Sequence, residues 1–345
     1  MDKKKERDYS KIFEVFKEKY DDIISFGKTL GSGSFGEVRV VKIGKENYAA
    51  KLIEKKNRNK IELEKLRGKN IIEIYKVYEE KINDKYYDLI IMEKALLNNV
   101  KIFIENIFNM VLLKTINNPF DEIIGNNLLR FFTKQIVNGL EILDRNELVH
   151  FDIKPQNILI TSRLKLKISD FSFLRNLIEF QDKIEIPGGT KGFVSPEYYK
   201  KIIDDKNLAK KHDYFSLGAT IFFLKFKKSP LLYKEYSSAD TTMTHVINLL
   251  QKSISFIKSD LSLDKDFISF LCSLLAYLPQ DRPDFEEIYR NKWLNENLNE
   301  INEISSSYYK NEDKKLLMEL FKSDFLIEKK KQNKDIKKCR FKFVK

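Results

Sequence analysis

The sequence predicts an α+β chain of two lobes: a small N-terminal lobe built on a five-stranded sheet with one helix, and a larger, mainly helical C-terminal lobe. Three observations carry that expectation. From Ile24 to about Ile91, short runs rich in Val, Ile and Tyr alternate with polar residues and are separated by turn signals, the pattern of half-buried strands. After Ala95 the apolar residues recur at helical spacing instead. The length, 345 residues, also exceeds the roughly 250 to 300 over which one core keeps growing.

In order along the chain, "YSKIFEVFKEKY" at 9–20 places Ile12, Phe13 and Phe16 on one helical face, so residues 1–23 read as a helical extension packed on the small lobe. That lobe, 24–94, offers "ISFGKTLGSGSFGEVRVVKI", the turn "GKEN", "YAAKLI", "IIEIYKVYEE" and "KYYDLIIME" as strands. One short helix interrupts them, with Asn57 as its N-cap, Ile61, Leu63 and Leu66 as apolar contacts and Gly68 as its stop. In the large lobe, 96–295, the helical runs are "VKIFIENIFNMVLLK", "NNLLRFFTKQIVNGLEILDRN", "HDYFSLGATIFFLKF", "TTMTHVINLLQKS", "KDFISFLCSLLAYL" and "DFEEIYRNKWL", while about 150–197 reads as strands and loops. Residues 296–345 form a polar tail ending in the basic "EKKKQNKDIKKCRFKFVK".

With 42% hydrophobic and 33% charged residues, the composition fits a packed core beneath a charged surface. No apolar run approaches the roughly 18 to 20 residues of a membrane span, and no secretory signal is expected at "MDKKKERDYSKIF". Two cysteines, Cys272 and Cys339, cannot build a disulfide framework, which suits a reducing compartment; a cytoplasmic location is expected, with nuclear entry through the basic tail as the alternative. The net charge of +12 accompanies an abundance of Lys, Asn, Ile, Phe and Tyr that an AT-rich genome would produce without any binding role. The tail is therefore expected to be a solvated end, and nucleic-acid or acidic-surface binding is the sharper but less favoured reading.

The chemistry concentrates in three places. "GSGSFGEV" sets Gly31, Ser32, Gly33 and Gly36 between two strands, where glycines let a hairpin fold its N–H groups over an anion. Lys51 on the next strand lies across that hairpin and can reach the phosphates it covers. In "HFDIKPQNILI", Asp152 can accept a proton from a hydroxyl, Lys154 can neutralise a phosphoryl group, and Asn157 can offer a carbonyl oxygen to a hard cation; Asp170 in "ISDFS" is a second oxygen ligand.

Through these residues and their spacing, the sequence resembles the eukaryotic-type protein kinases of the serine/threonine kind over about 24–295. Seven motifs match in order: "GSGSFGEV"; Ala49 and Lys51 of "YAAK"; "HFDIKPQN"; "DFS"; "GTKGFVSPE"; "DYFSLG"; and Arg282 in "RP" with "KWL" after it. The resemblance implies a two-lobed protein-kinase-like fold that uses ATP and Mg²⁺ to phosphorylate protein hydroxyls. By the same resemblance Lys51 would bind the α and β phosphates, Asp152 would be the catalytic base, Lys154 would contact the γ phosphate, and Asn157 and Asp170 would hold the metal. Val38, Ala49 and Leu159 would sandwich the adenine, Met92 would be the gatekeeper, and Glu93 and Ala95 would offer hinge backbone bonds. Glu197 and Arg282 would form a buried ion pair, and Asp213 would brace the catalytic loop. Lys154 and Thr190 follow the serine/threonine pattern.

The pattern departs at four points. The glutamate that should pair with Lys51 falls on Asn59 when counted without a gap and on Glu62 one turn later; Glu62 is favoured, since Asn59 lies too near the end of the strand. Ser172 replaces a glycine, which should restrict backbone flipping. Phe151 replaces the arginine that receives an activation-segment phosphate, making this a non-RD sequence. Asn99 and Gln156 stand where kinases preferring basic substrates carry acids. The stretch "FLRNLIEFQDKIEIPGG" between Ser172 and Thr190 also lacks Ser, Thr and Tyr, so activity without phosphorylation there is expected, the segment being held by Phe173, Leu174, Leu177, Ile178 and Phe180. The rival readings are a nucleotide-binding pseudokinase and a basic-tail adaptor with weak kinase activity.

Overall fold

The computed structural model describes residues 9–33, 36–55, 61–95, 97–105, 126–160, 164–231 and 243–296. The first helix, α1 (Ser10–Lys19), leads into the strands β1 (Ile23–Gly33), β2 (Gly36–Ile43), β3 (Glu46–Lys55), β4 (Ile74–Ile82) and β5 (Lys85–Met92). These five form one antiparallel sheet in the order β1-β2-β3-β5-β4. Alternation along the strands separates its two faces. Val41, Ala50, Leu52, Tyr78, Leu89 and Ile91 point one way and bury against Phe13 and Phe16 of α1. Each of these phenylalanines is fully enclosed, worth about 1.5 to 3 kcal/mol of hydrophobic stabilisation. Ala49 and Lys51, one residue out of phase with Ala50 and Leu52, therefore face the opposite side, toward the large lobe.

The expected small-lobe helix is corrected by the structure. Among the described residues that stretch contributes a single 3-10 turn, Leu63–Lys65, with Glu62 in a non-helical conformation before it (φ −76°, ψ 83°); Asn57 and Asn59 lie outside the described residues. The apolar anchors Ile61, Leu63 and Leu66 do pack on the core, but they are spaced two and then three residues apart, which is no helical stripe. So short a segment cannot offset the cost of helix nucleation without one.

A strand β6 (Leu97–Asn99) follows the hinge, and Asn99 caps the helix beginning at Val100 by accepting from the N–H of Ile102. The large lobe contains α2 (Asn126–Arg145), whose Leu129, Phe132, Ile136, Leu140 and Leu143 bury one stripe, and α3 (Lys210–Phe226), enclosed on nearly all sides. Then come α4 (Met243–Ser259), α5 (Lys265–Leu274), α6 (Phe285–Tyr289) and α7 (Lys292–Asn295). Trp293 of α7 sits fully buried against Phe267 and Phe270 of α5. The rest of "VKIFIENIFNMVLLK", Cys339 and the basic tail lie outside the described residues. No helix among the described residues is long and apolar enough to cross a membrane.

Between α2 and α3 run the short strands β7 (Leu148–Val149), β8 (Ile158–Ile160), β9 (Leu166–Ile168), β10 (Arg175–Asn176), β11 (Ile184–Glu185) and β12 (Ile202–Ile203). Strands β6, β8 and β9 form one small sheet, tied to the N-terminal lobe where the N–H of Ile72 donates to the carbonyl of Ile168 at 2.9 Å. This junction fixes where Lys51 stands relative to the residues after β7 and β9.

Candidate active site

The glycine hairpin of β1 and β2, with β3 beside it, forms one wall of the cleft. Gly36 adopts φ +151°, and a Cβ there would lie 1.9 Å from the carbonyl oxygen of Leu52, so only glycine lets β2 approach β3 this closely. At Gly31 and Gly33 a Cβ would meet nothing within 4 Å among the described residues, so no described group demands glycine there, whereas a ligand close to the backbone would. Ser32 pairs with Glu37 in the same hairpin. Val38 stands opposite Lys51 and Ala49 opposite Met92, while Met92, Leu159 and Phe171 line one apolar cluster with Ile72, Ile74 and Ile90. At the hinge, the side chain of Glu93 turns away to Lys167 and the N–H of Glu73. The carbonyl of Glu93 and the N–H of Ala95 have no partner among the described residues.

The loop after β7 is braced from below. Asp213 of α3 accepts from the N–H groups of His150 (2.6 Å) and Phe151 (2.9 Å), holding Phe151 at φ 63°, a left-handed conformation that is costly for a bulky residue. Burial pushes Asp213 up to about 7, with the two N–H bonds working against that rise. His150 is buried; its Nε2 bonds the carbonyl of Ser169 at 3.0 Å, and its Nδ1 accepts from the N–H of Asp152. Its burial holds it neutral by pulling its pKa down.

On that frame the carboxylate of Asp152 is aimed by three side chains. Oδ2 accepts from Lys154 Nζ (2.6 Å) and Asn157 Nδ2 (2.9 Å), and Oδ1 accepts from the hydroxyl of Thr190 (2.8 Å), which Lys154 also reaches at 2.6 Å. Asn157 sends its amide N–H groups to Asp152, and its side-chain carbonyl has no partner among the described residues. Asp170 lies in the left-handed region (φ 65°, ψ 73°), and its Oδ1 accepts from Lys51 Nζ (2.5 Å), the Ser172 hydroxyl (2.6 Å) and the Ser172 N–H (3.3 Å). Its Oδ2 has no partner among the described residues. Burial would raise the Asp170 carboxyl, but the Lys51 ammonium and the bonds from Lys51 and Ser172 hold it well below the usual carboxylate range. One amide carbonyl and one carboxylate oxygen are a donor set that fits Mg²⁺, which takes few protein oxygens beside phosphate and water.

The structure thus brings Lys51, Asp152, Lys154, Asn157 and Asp170 into one cleft, but it does not bring Glu62 to Lys51. Glu62 pairs with Lys65 at 2.5 Å on the surface, its side chain 65% exposed. Glu64 accepts from the N–H of Val77 at 3.0 Å, so the nearby carboxylates are engaged elsewhere. Sequence reasoning missed the hydroxyl of Ser172, which donates to Asp170 and accepts from Lys51 at 2.9 Å. It also passed over His150, whose position at the head of "HFDIKPQN" was the available signal.

The segment following Asp170 is stitched to the large lobe. Strand β10 pairs with β7, β11 pairs with β12, and the N–H of Ile186 donates to the carbonyl of Lys201 at 2.9 Å. Phe151 is completely buried with Val149, Leu177, Ile184, Ile186, Ile203 and Ala209, and its ring tilts against His212 at 5.0 Å. Phe173 and Phe180 pack on the same cluster and Leu174 joins the main core, whereas Ile178 is 73% exposed and holds nothing. Within the 3-10 turn Leu177–Glu179, successive side chains diverge, so Leu177 goes in and Ile178 goes out. Arg282 grips Glu197 through two bonds of 2.6 and 2.8 Å and reaches the carbonyls of Ala276, Lys211 and Tyr277, forming a buried fork whose remaining donors are satisfied.

Comparison with known proteins agrees with this arrangement. Residues 24–294 match the protein kinase domain family. Among curated relatives, Aurora kinase of Saccharomyces cerevisiae is 28% identical over 284 residues, covering 81% of this chain and 71% of that protein. Death-associated protein kinase 2 of Mus musculus is 28% identical over 309 residues (81% and 74%), and serine/threonine-protein kinase 17A of Oryctolagus cuniculus is 29% identical over 178 residues (50% and 42%). With the match spanning both lobes and the cleft between them, the chain belongs to the protein kinase family and is a protein serine/threonine kinase.

Proposed function

We propose that this kinase transfers the γ-phosphoryl group of ATP with Mg²⁺ to serine and threonine hydroxyls of proteins, and does so with no phosphate on its activation segment. Mg²⁺, when bound with ATP, supplies charge neutralisation across the phosphate oxygens. Asn157, through its free side-chain carbonyl, and Asp170, through Oδ2, would hold it. Gly31, Ser32, Gly33 and Gly36 cover the phosphates and Lys51 pairs with them. Val38, Ala49 and Leu159 enclose the adenine beside Met92, against the hinge edge of Glu93 and Ala95. Asp152 takes the proton of the acceptor hydroxyl, which would replace the Thr190 hydroxyl now donating to Oδ1, while Lys154 offsets charge on the transferring group.

The observation that supports independence from phosphorylation is the buried Phe151. Where a phosphate-dependent relative needs an arginine, this chain has a fully enclosed ring to which the activation segment packs, and no Ser, Thr or Tyr stands between Ser172 and Thr190. The non-RD reading rests on this. A cytoplasmic location, with nuclear entry through the tail as the alternative, rests on the two cysteines alone. The experiment is to treat purified protein with a broad phosphatase, verify by mass spectrometry that residues 172–195 carry no phosphate, and follow transfer from ATP to a peptide library. Sustained serine or threonine phosphorylation is expected. Activity that disappears and returns only with phosphate on that segment would refute the independence, and nucleotide binding without any transfer would favour the pseudokinase reading.

A further inference from the structure

We infer that Ser172 is a positioning residue for Lys51, its hydroxyl taking the part that a helix glutamate was expected to play. The inference rests on the kinase reading of the cleft, since it concerns how the phosphate-binding ammonium is held. Three facts carry it. Neither carboxylate of the segment that should supply the partner reaches Lys51: Glu62 is engaged by Lys65 at the surface and Glu64 by the backbone of Val77. Lys51 is 9% exposed, so an ammonium held without hydrogen-bond acceptors there would be strongly unfavourable. The acceptors it has among the described residues are Asp170 Oδ1 at 2.5 Å and Ser172 Oγ at 2.9 Å.

The hydroxyl is fixed at both ends. Its proton goes to Asp170 Oδ1 at 2.6 Å and a lone pair accepts from Lys51, so its rotation is set and the three groups form a closed ring of bonds. The geometry arises from the backbone: Asp170 in the left-handed region starts the 3-10 turn Phe171–Phe173, which curls the Ser172 side chain back over the carboxylate. A glycine at 172 would retain only the 3.3 Å N–H bond to Asp170 and would offer Lys51 nothing. When phosphates and a cation draw on Lys51 and Asp170, the hydroxyl remains an uncharged acceptor that keeps the ammonium aimed without competing for its charge. A carboxylate partner would compete.

The test is a double-substitution cycle read by nucleotide affinity on the full chain. ADP binding is measured by titration calorimetry in EDTA, so that metal on Asp170 contributes nothing, for the wild type, Ser172→Ala, Ser172→Gly, Ser172→Thr, Glu62→Gln, Lys51→Met and the Ser172→Ala, Lys51→Met pair. A lost hydrogen bond to a charged group should weaken ADP binding about tenfold in Ser172→Ala and Ser172→Gly. Ser172→Thr, which keeps the hydroxyl, should stay within about threefold of wild type, and Ser172→Ala should cost less than about twofold once Lys51 is methionine. Wild-type affinity in Ser172→Gly, the same loss in both Lys51 backgrounds, or a tenfold loss in Glu62→Gln instead would overturn the inference. Because the readout is binding, a chain that showed this coupling yet transferred no phosphoryl group would refute the proposed function and leave the role of Ser172 standing.

Discussion

Replacing Phe151 tests whether the apolar cluster beneath the activation segment holds it. The side chain is completely enclosed, and its removal leaves a void bounded by Val149, Leu177, Ile184, Ile186, Ile203 and the ring of His212. Phe→Ala at such a site costs about 3 to 5 kcal/mol, the loss of transfer energy plus the cavity that the neighbours cannot close. These neighbours are constrained: Ile184 and Ile203 are opposite each other in the β11–β12 pair, and Val149 stands opposite Arg175 in the β7–β10 pair. Collapse is therefore limited, and the upper part of the range applies. At about 2 °C per kcal/mol for a domain of this size, Phe151→Ala should melt about 8 to 10 °C lower, and Phe151→Leu, which fills most of the space, should fall much less.

The loss should also be local before it is global. Leu177, Ile184 and Ile186 belong to the activation segment itself, so amide hydrogen exchange across 173–186 should rise in Phe151→Ala at temperatures where α2 and α3 stay protected. Activity of the unphosphorylated enzyme should fall with it. A melting temperature within about 2 °C of wild type, with unchanged exchange in 173–186, would refute the reasoning; it would mean that the strand pairings alone hold the segment.

Three further expectations are separable from that one. Asp152→Asn should lower turnover by about 10² to 10⁴-fold while ADP affinity stays close to wild type, measured by steady-state kinetics and titration, since the role proposed for the carboxylate is to take the proton of the acceptor hydroxyl, in the place where Thr190 now donates. Arg282→Ala, which strands the buried carboxylate of Glu197, should cost about 3 to 5 kcal/mol in urea unfolding; Glu197 and Arg282 changed together to neutral residues should cost less than the sum. His212, fully buried with Nδ1 bonded to the Ser195 hydroxyl at 2.6 Å, is driven by burial down to about 4 from its usual 6.5, so protonation favours the unfolded chain. Its own contribution is intact above pH 6.5, and about 3 kcal/mol of it is lost as pH falls from there toward 4; Asp213, pushed up to about 7, acts in the opposite sense over the same window, so the check is the difference, with the urea stability of wild type relative to His212→Asn falling by about that amount between pH 6.5 and 4.

Much of the fold was legible because its determinants are local. Alternation in "YAAKLI" separates Ala50 and Leu52, which meet α1, from Ala49 and Lys51, which face the cleft, and the sheet needs little beyond that rule to set both faces. The helical stripe of α2 and the Phe13 and Phe16 face of α1 were equally plain. The residues of the cleft were legible for a different reason: their chemistry is unusual for their surroundings. Charged and amide groups inside otherwise apolar runs, as at Asp152, Lys154 and Asn157, must find one another or be strongly unfavourable, and the structure pairs them within 2.6 to 2.9 Å.

What could not be read was the choice of partner where two donors or acceptors of suitable type were both within reach. Glu62 and Ser172 both offered oxygen to Lys51. The outcome depended on whether a helix formed before β4, where the two-then-three spacing of Ile61, Leu63 and Leu66 gives no stripe to bury, and on the left-handed backbone of Asp170, which no periodicity announces. Ile178 failed for the same kind of reason: apolar character nominated it, but a 3-10 turn aims adjacent side chains apart, and Leu177 took the inward place. Composition identifies which groups require partners, and one or two backbone angles decide which partner each group meets. In this cleft those angles set the Ser172 hydroxyl, two residues beyond Asp170, against Lys51 and leave Glu62 at the surface with Lys65.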